Sequence, residues 1–220
     1  MRLRMKKAKR ALAVDSSVLS TWNPRTELGK QVKEKKITSL VEIMEMGKTV
    51  LESEIIDSLI PDLKQETLDL KSTQRMTDSG RKAKFRAIII AGDEKEFVGI
   101  GAGKVEEVRP AIELAIKNAK LNLVHAVLGC GSAECRCGTK HSLPIKVTGK
   151  YGGVTVTLKP APRGTGIVAN QTIKKVLQLA GIKDVWTRAT GRTRNRYNTA
   201  AATIGAIDML NRIRLKKEWS

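Results

Sequence analysis

The sequence predicts an α+β protein built as two domains in series, and three observations carry that reading. Residues 53–125 spell helix, strand, strand, strand, helix, because apolar/polar alternation gives way near Val108 to apolar residues spaced by three and four. Residues 143–220 repeat this mixture with an independent set of strands and helices. Residues 126–142, rich in Gly and Cys, read as the connector between them, and residues 1–52 as a basic N-terminal arm with short helices.

Composition limits what such a protein does. The 220 residues are 41% apolar but only 3% aromatic, so the cores must be built from Ile, Val, Leu and Ala. A formal net charge of +19 suits a polyanionic partner, nucleic acid first, better than catalysis on neutral metabolites. The basicity is spread over several surfaces: +8 over residues 1–36, −6 over 37–70, +4 over 71–125, +4 over 126–160 and +9 over 161–220. No apolar run is long enough to span a bilayer, and MRLRMKKAKR is not followed by the apolar core of a signal peptide. A soluble, intracellular, cytoplasmic protein with no membrane partner is therefore expected. Three clustered cysteines, an odd number, argue against a secreted disulfide framework.

In the arm, Trp22-Asn23-Pro24-Arg25 is a stop and Thr26–Lys36 a short charged helix, expected to order only against a partner. Ser39 and Glu42 have capping-box spacing, so a second helix is predicted through Met46 to Gly47. Ser53 opens a third, which Pro61 ends. Leu63–Met76 reads as a strand and Thr77–Lys82 as a polar loop. From Ala83 to Ala91, Phe85, Ala87, Ile89 and Ala91 share one face with Lys84 and Arg86 on the other. Gly92-Asp93-Glu94-Lys95 is a turn, Phe97–Ala102 the partner strand, and Val108, Ala111, Ile112, Ala115 and Ala119 one helix face whose run continues to His125.

In the second half, LPIKVTG, the turn KYGG and VTVTLK form a hairpin with Val154, Val156 and Leu158 on one side and Thr155 and Thr157 on the other. Asn170 is the expected N-cap of a helix through Ile173, Val176, Leu177 and Ala180, which Gly181 ends. Ile182–Ala189 is a third strand, ATGRTRNRYN a basic loop and Thr199–Arg214 a closing helix.

The order helix, three strands, helix over 53–125 is that of a double-stranded-RNA-binding domain. Arg75, Gly80, Arg81, Lys82, Lys84 and Arg86, with Lys104 at the exit of the next strand, are expected to extend from one loop and strand edge towards phosphates. Arg188, Arg192, Arg194 and Arg196 form a second basic group, read as lying beside the RGTG turn of Arg163. Together these are the predicted RNA-binding residues.

Three motifs imitate other chemistry. GIGAGK, residues 99–104, lacks both the first Gly and the terminal Ser or Thr of a phosphate loop, and reads as a glycine-rich strand that another backbone approaches closely. Gly164-Thr165-Gly166-Ile167-Val168-Ala169, with Asp184 twenty residues on, resembles a dinucleotide fingerprint, but it follows a hairpin interrupted by Pro160 and Pro162. Cys130, Cys135, Cys137 and His141 offer four zinc-type donors at separations unlike common structural sites, so no metal or other cofactor is expected. Neither His125 nor His141 has an evident acid or nucleophile partner in the sequence, and no catalytic residue is assigned.

AIIIAGDEKEFVGIGAGKVEEVRPAI, followed by HSLPIKVTGKYGGVTVTLKPAPRGTGIVANQTIKKVLQLAGI, resembles the small-subunit ribosomal protein S-five family over roughly residues 50–210. The cysteine-containing connector and long arm are similar to its archaeal and eukaryotic branch. The resemblance implies a first domain like the double-stranded-RNA-binding fold and a two-layer α/β second domain with a left-handed βαβ crossover. It also implies ribosomal RNA, ribosomal proteins S-four and S-eight and messenger RNA near the entry path as partners, with an influence on decoding accuracy. The second domain is also similar in fold to small-molecule kinases. A diverged kinase-like enzyme and a free double-stranded-RNA-binding adaptor are thus the alternatives to a non-enzymatic ribosomal protein.

Overall fold

A computed structural model describes residues 22–135 and 137–212. The arm before Trp22 and the predicted end of the closing helix at Arg214 lie outside the described residues.

Three short helices open the described chain: α1 (Glu27–Lys33), α2 (Leu40–Glu45) and α3 (Ser53–Leu59). Thr26 caps α1 by accepting from the Gly29 N–H, and Ser39 caps α2 by accepting from the Glu42 N–H. Leu28, Val32, Ile37, Ile43 and Ile55 bury against one another. The Glu52 carboxylate accepts from the Arg25 and Thr26 N–H groups and from Trp22 Nε1. The expectation that the segment to Lys36 orders only against a partner is therefore corrected from Trp22 onward. Leu28 and Val32, four apart, give α1 an apolar stripe that the protein itself covers.

The first sheet is antiparallel in the order β1 (Lys64–Thr77), β2 (Gly80–Gly92), β3 (Phe97–Val105) and β4 (Leu123–His125). Helix α4 (Val108–Leu121) crosses one face, joining Ala111 and Ala115 to Ala87 and Ile89. It sits so close that a Cβ on Gly101 would lie 2.0 Å from the Ala115 carbonyl oxygen, which is the backbone approach that the glycine-rich strand predicts. The turn after β2 is organised by Asp93, whose Oδ1 accepts from the N–H groups of Lys95, Glu96 and Phe97.

Several boundaries differ from the sequence reading: in the second domain the strand expected over Ile182–Ala189 runs Val185–Gly191 and the closing helix starts at Arg196 rather than Thr199, and in the first domain two differences bear on the site. The expected loop Thr77–Lys82 is a tight turn at Asp78-Ser79, since Thr77 already pairs with Gly80 at φ +126° and Arg81 and Lys82 are in β2. The helical run expected to reach His125 stops at Leu121, and Leu123–His125 doubles back to pair with Phe97–Gly99 as β4.

The second domain holds β5 (Val147–Tyr151), β6 (Val154–Pro160), β7 (Ile167–Val168), α5 (Gln171–Leu179), β8 (Val185–Gly191) and α6 (Arg196–Asn211). Its sheet order is β5-β6-β8-β7, with β7 and β8 parallel and joined through α5 as a βαβ unit. Val154, Val156 and Leu158 face Ile173, Leu177, Ile207 and Leu210 in a core that continues into Ile88, Ile90, Val98 and Ile100 of the first sheet. This is why β2 is buried on both faces beyond Ala87: Ala87 and Ile89 meet α4, while Ile88 and Ile90, on the face begun by Lys84 and Arg86, enter the shared core.

Candidate nucleic-acid interface

Residues paired across an antiparallel ladder share a face, and successive residues alternate faces. In the β1–β2 hairpin Arg75 pairs with Lys82, Thr73 with Lys84, and Lys71 with Arg86, which pairs in turn with Lys104. One face therefore carries Lys71, Arg75, Lys82, Lys84, Arg86 and Lys104 in three rows about 7 Å apart. Arg81 pairs with Met76 and belongs to the opposite face, the side on which α4 lies further down β2. The structure thus groups Arg75, Lys82, Lys84, Arg86 and Lys104 and separates Arg81 from them. Gly80 serves the turn geometry, since its positive φ is unfavourable for a residue with a Cβ.

These cations are not equally available. Lys82 Nζ lies 2.8 Å from Glu106, and that hydrogen bond raises the Lys82 pKa while holding the Glu106 carboxyl below its ordinary range. Both groups are exposed, so phosphate can compete for Lys82. The half-buried Arg86 has its guanidinium carbon 5.3 Å from the centre of the Tyr197 ring, which packs edge-on against Tyr151. Arg86 therefore also fastens the hairpin base to the second domain.

The second group divides more sharply. Arg188 shares a row with Thr148 and Thr157 on the outer face of the β5-β6-β8 sheet, opposite the side packed by α6. Arg192 and Arg194 lie exposed in the turn that follows β8. Arg196 is anchored instead: its Nη1 donates to the Leu68 carbonyl at 2.9 Å and to Asp69 Oδ1 at 3.1 Å, tying α6 to β1. The expectation that this group lies beside Arg163 is corrected. The turn of Arg163 is bound at Asp184, just before β8, whereas Arg192 follows its far end, roughly 25 Å away along the strand.

Asp184 also disposes of the dinucleotide reading. Its Oδ1 accepts from the Gly164 and Gly166 N–H groups at 3.1 and 2.8 Å, so the glycines wrap an internal carboxylate rather than a pyrophosphate. Burial pushes the Asp184 carboxyl up, but the hydrogen bonds from Gly166, His141 and Gly164 outweigh it and leave its pKa lowered.

Sequence reasoning missed Lys71, Lys150, Lys159 and Trp186. Lys71 joins the hairpin face only through its register with Arg86. Lys150, in the row of Thr155 and Thr190, had a usable signal in the Thr155 and Thr157 alternation, which defines the uncovered side. Trp186, 38% exposed and paired with Lys159, adds a large aromatic surface on that side.

An antiparallel sheet backed by one helix, a projecting cationic hairpin and a second open basic sheet define a two-domain α+β protein with surfaces suited to a polyanion such as RNA. Comparison with known proteins agrees in both halves. The model of ribosomal protein S5, N-terminal domain, matches residues 63–126, and that of ribosomal protein S5, C-terminal domain, matches residues 149–218. The small ribosomal subunit protein uS5 of Staphylothermus marinus is 51% identical over 195 residues, 89% of this chain and 91% of that protein. Its counterpart in Ignicoccus hospitalis is 49% identical over 198 residues, 90% of this chain and 94% of that protein. That of Methanocaldococcus jannaschii is 49% identical over 193 residues, 88% and 89% respectively. The chain belongs to the ribosomal protein S5 family, in its archaeal form.

Proposed function

We infer that this chain is a non-enzymatic structural constituent of the small ribosomal subunit and binds its ribosomal RNA chiefly through phosphates. The observation that carries the reading is family membership along about nine-tenths of the chain, joined to a hairpin face of six cations. Membership in a family of ribosomal proteins sets aside both the kinase-like enzyme and the free adaptor. Among the described residues, no helix is long and apolar enough to cross a membrane.

The finer reading assigns RNA contact to Arg75, Lys82, Lys84 and Lys104 on the hairpin, to Arg163 at one end of β8, and to Arg188, Arg192 and Arg194 along and beyond its other end. Residues 53–125 and 143–220 then act as two platforms that engage separate RNA segments. By its resemblance the protein also touches ribosomal proteins S-four and S-eight and borders the messenger entry path, where it affects accuracy. With few aromatics for base stacking, affinity should depend steeply on salt, with a logarithmic slope near −4 to −5 if about six phosphates are engaged. Sedimentation of cell extract with immunodetection across the gradient tests the assignment. Co-migration with the small subunit is expected, and a pool wholly at the top of the gradient would overturn it in favour of the adaptor.

A further inference from the structure

The connector is the one segment whose chemistry the RNA-binding reading leaves unused. Its ends are brought together by an antiparallel bridge between Gly129 and Ser142, each N–H donating to the other's carbonyl at 2.8 Å. Cys130 and His141 are the inner neighbours of that bridge, and the loop between them turns Cys135 and Cys137 back towards it. One donor atom from each of Cys130, Cys135, Cys137 and His141 lies within 4.8 Å of all the others. Cys130 and Cys137 Sγ are 3.5 Å apart, and Cys135 Sγ is 3.6 Å from His141 Nε2. A tetrahedral zinc ion with ligand bonds of about 2.0–2.3 Å needs donors roughly 3.5–3.8 Å apart.

A second observation is independent of the sulfurs. His141 is 5% exposed, and its Nδ1 is 2.8 Å from Asp184 Oδ2. Asp184 accepts from two backbone N–H groups through its other oxygen, which favours the carboxylate, so Nδ1 carries the proton and the Nε2 lone pair points at the thiols. A carboxylate that orients an imidazole in this way is the usual companion of a histidine ligand to zinc.

We propose that Cys130, Cys135, Cys137 and His141 form a structural zinc site, which clips the connector to the RGTG turn through Asp184. This reverses the expectation that no metal is held here, which rested on separation along the chain. The Gly129–Ser142 bridge makes that separation irrelevant by closing the loop at its base. Binding takes Zn²⁺ from solution and releases the thiol protons to buffer, and no redox step is involved. Three sulfurs and one nitrogen in a closed set select zinc over the hard, oxygen-preferring divalent ions. A Cys135–His141–Asp184 nucleophile would resemble a hydrolytic triad, but it would leave two further thiols against the same imidazole with no role.

The site is tested on full-length, untagged protein purified without chelator. About one zinc per chain is expected by elemental analysis. After removal of the metal under reducing conditions, Co²⁺ should restore the visible bands and thiolate charge-transfer absorption of a tetrahedral site. These three cysteines are the only ones in the chain, so the charge-transfer signal has no other source. Cys130→Ser with Cys137→Ser should abolish it, and Asp184→Asn should weaken zinc binding by about 10–100-fold. The Co²⁺ spectrum of the unsubstituted protein decides the question even if a variant fails to fold. Three titratable thiols with no bound zinc and no Co²⁺ band would overturn the proposal, as would stoichiometric iron or a Cys130–Cys137 disulfide in protein from a reducing cytosol.

Discussion

Replacing Arg75, Lys82 and Lys84 together by Ala removes three cations from one face of the hairpin while sparing Arg86, which holds the two domains together. Each lost phosphate contact lowers the logarithmic salt slope by about 0.9, so the triple variant should lose close to three units. Between 50 and 200 mM salt, a fourfold change, one such contact is worth roughly 3.5-fold in affinity. The triple variant should therefore be about 40-fold less sensitive to that change than the parent protein. Arg81→Ala is the internal control, being as exposed as Lys82 and adjacent to it, yet on the opposite face. It should leave the slope unchanged. The measurement is fluorescence anisotropy of a labelled small-subunit ribosomal RNA fragment across a KCl titration, with melting curves to check that the fold survives. The ladder of β1 and β2 is a backbone property, so melting should move little. An unchanged slope in the triple variant, or an equal drop in Arg81→Ala, would refute the assignment of RNA contact to this face.

Three further outcomes follow from the same geometry. Arg196→Ala should leave the salt slope unchanged but lower stability by about 1 kcal/mol, a melting shift of roughly 2–4 °C, because it releases Leu68 and Asp69; Arg194→Ala should do the reverse. Gly101→Ala should cost about 3 kcal/mol or more in urea unfolding, since its methyl would meet the backbone of Ala115 and Ala119 at 2.0–2.9 Å, where no flexible side chain can give way. Burial raises the Glu52 carboxyl, but the hydrogen bonds from Thr26, Arg25 and Trp22 more than offset this and depress its pKa. The advantage of the parent protein over Glu52→Gln should accordingly be full above the ordinary carboxylate pKa and fade as pH falls through the lowered one, as read by urea titrations at neutral and acid pH.

The parts of this protein that were legible in the sequence are those whose cause is local. Alternation from Phe85 to Ala91 placed one face of β2, the Ser39–Glu42 spacing marked a helix start, and three alternate glycines in β3 announced a close neighbour. What was hidden depends on partners distant in the chain. β4 and β7, of three and two residues, exist only because an edge of β3 or β8 is available to pair. Reading Asp78-Ser79 as part of a six-residue loop left the hairpin register unset, and without it the face of Arg81 could not be told from that of Lys82. Arg194 and Arg196 are alike in sequence, but Arg196 donates to a carbonyl and a carboxylate some 127 residues away and so joins the two domains. Charge density alone therefore overstates the interface. On the proposed reading, a cation can meet phosphate where it has no internal acceptor or where, as for Lys82 and Glu106, the internal pair is exposed enough to be displaced. On that reading the proposed RNA surface is the outer half of the hairpin and the open side of the second sheet, while Arg86 and Arg196 join the two domains beside their shared core.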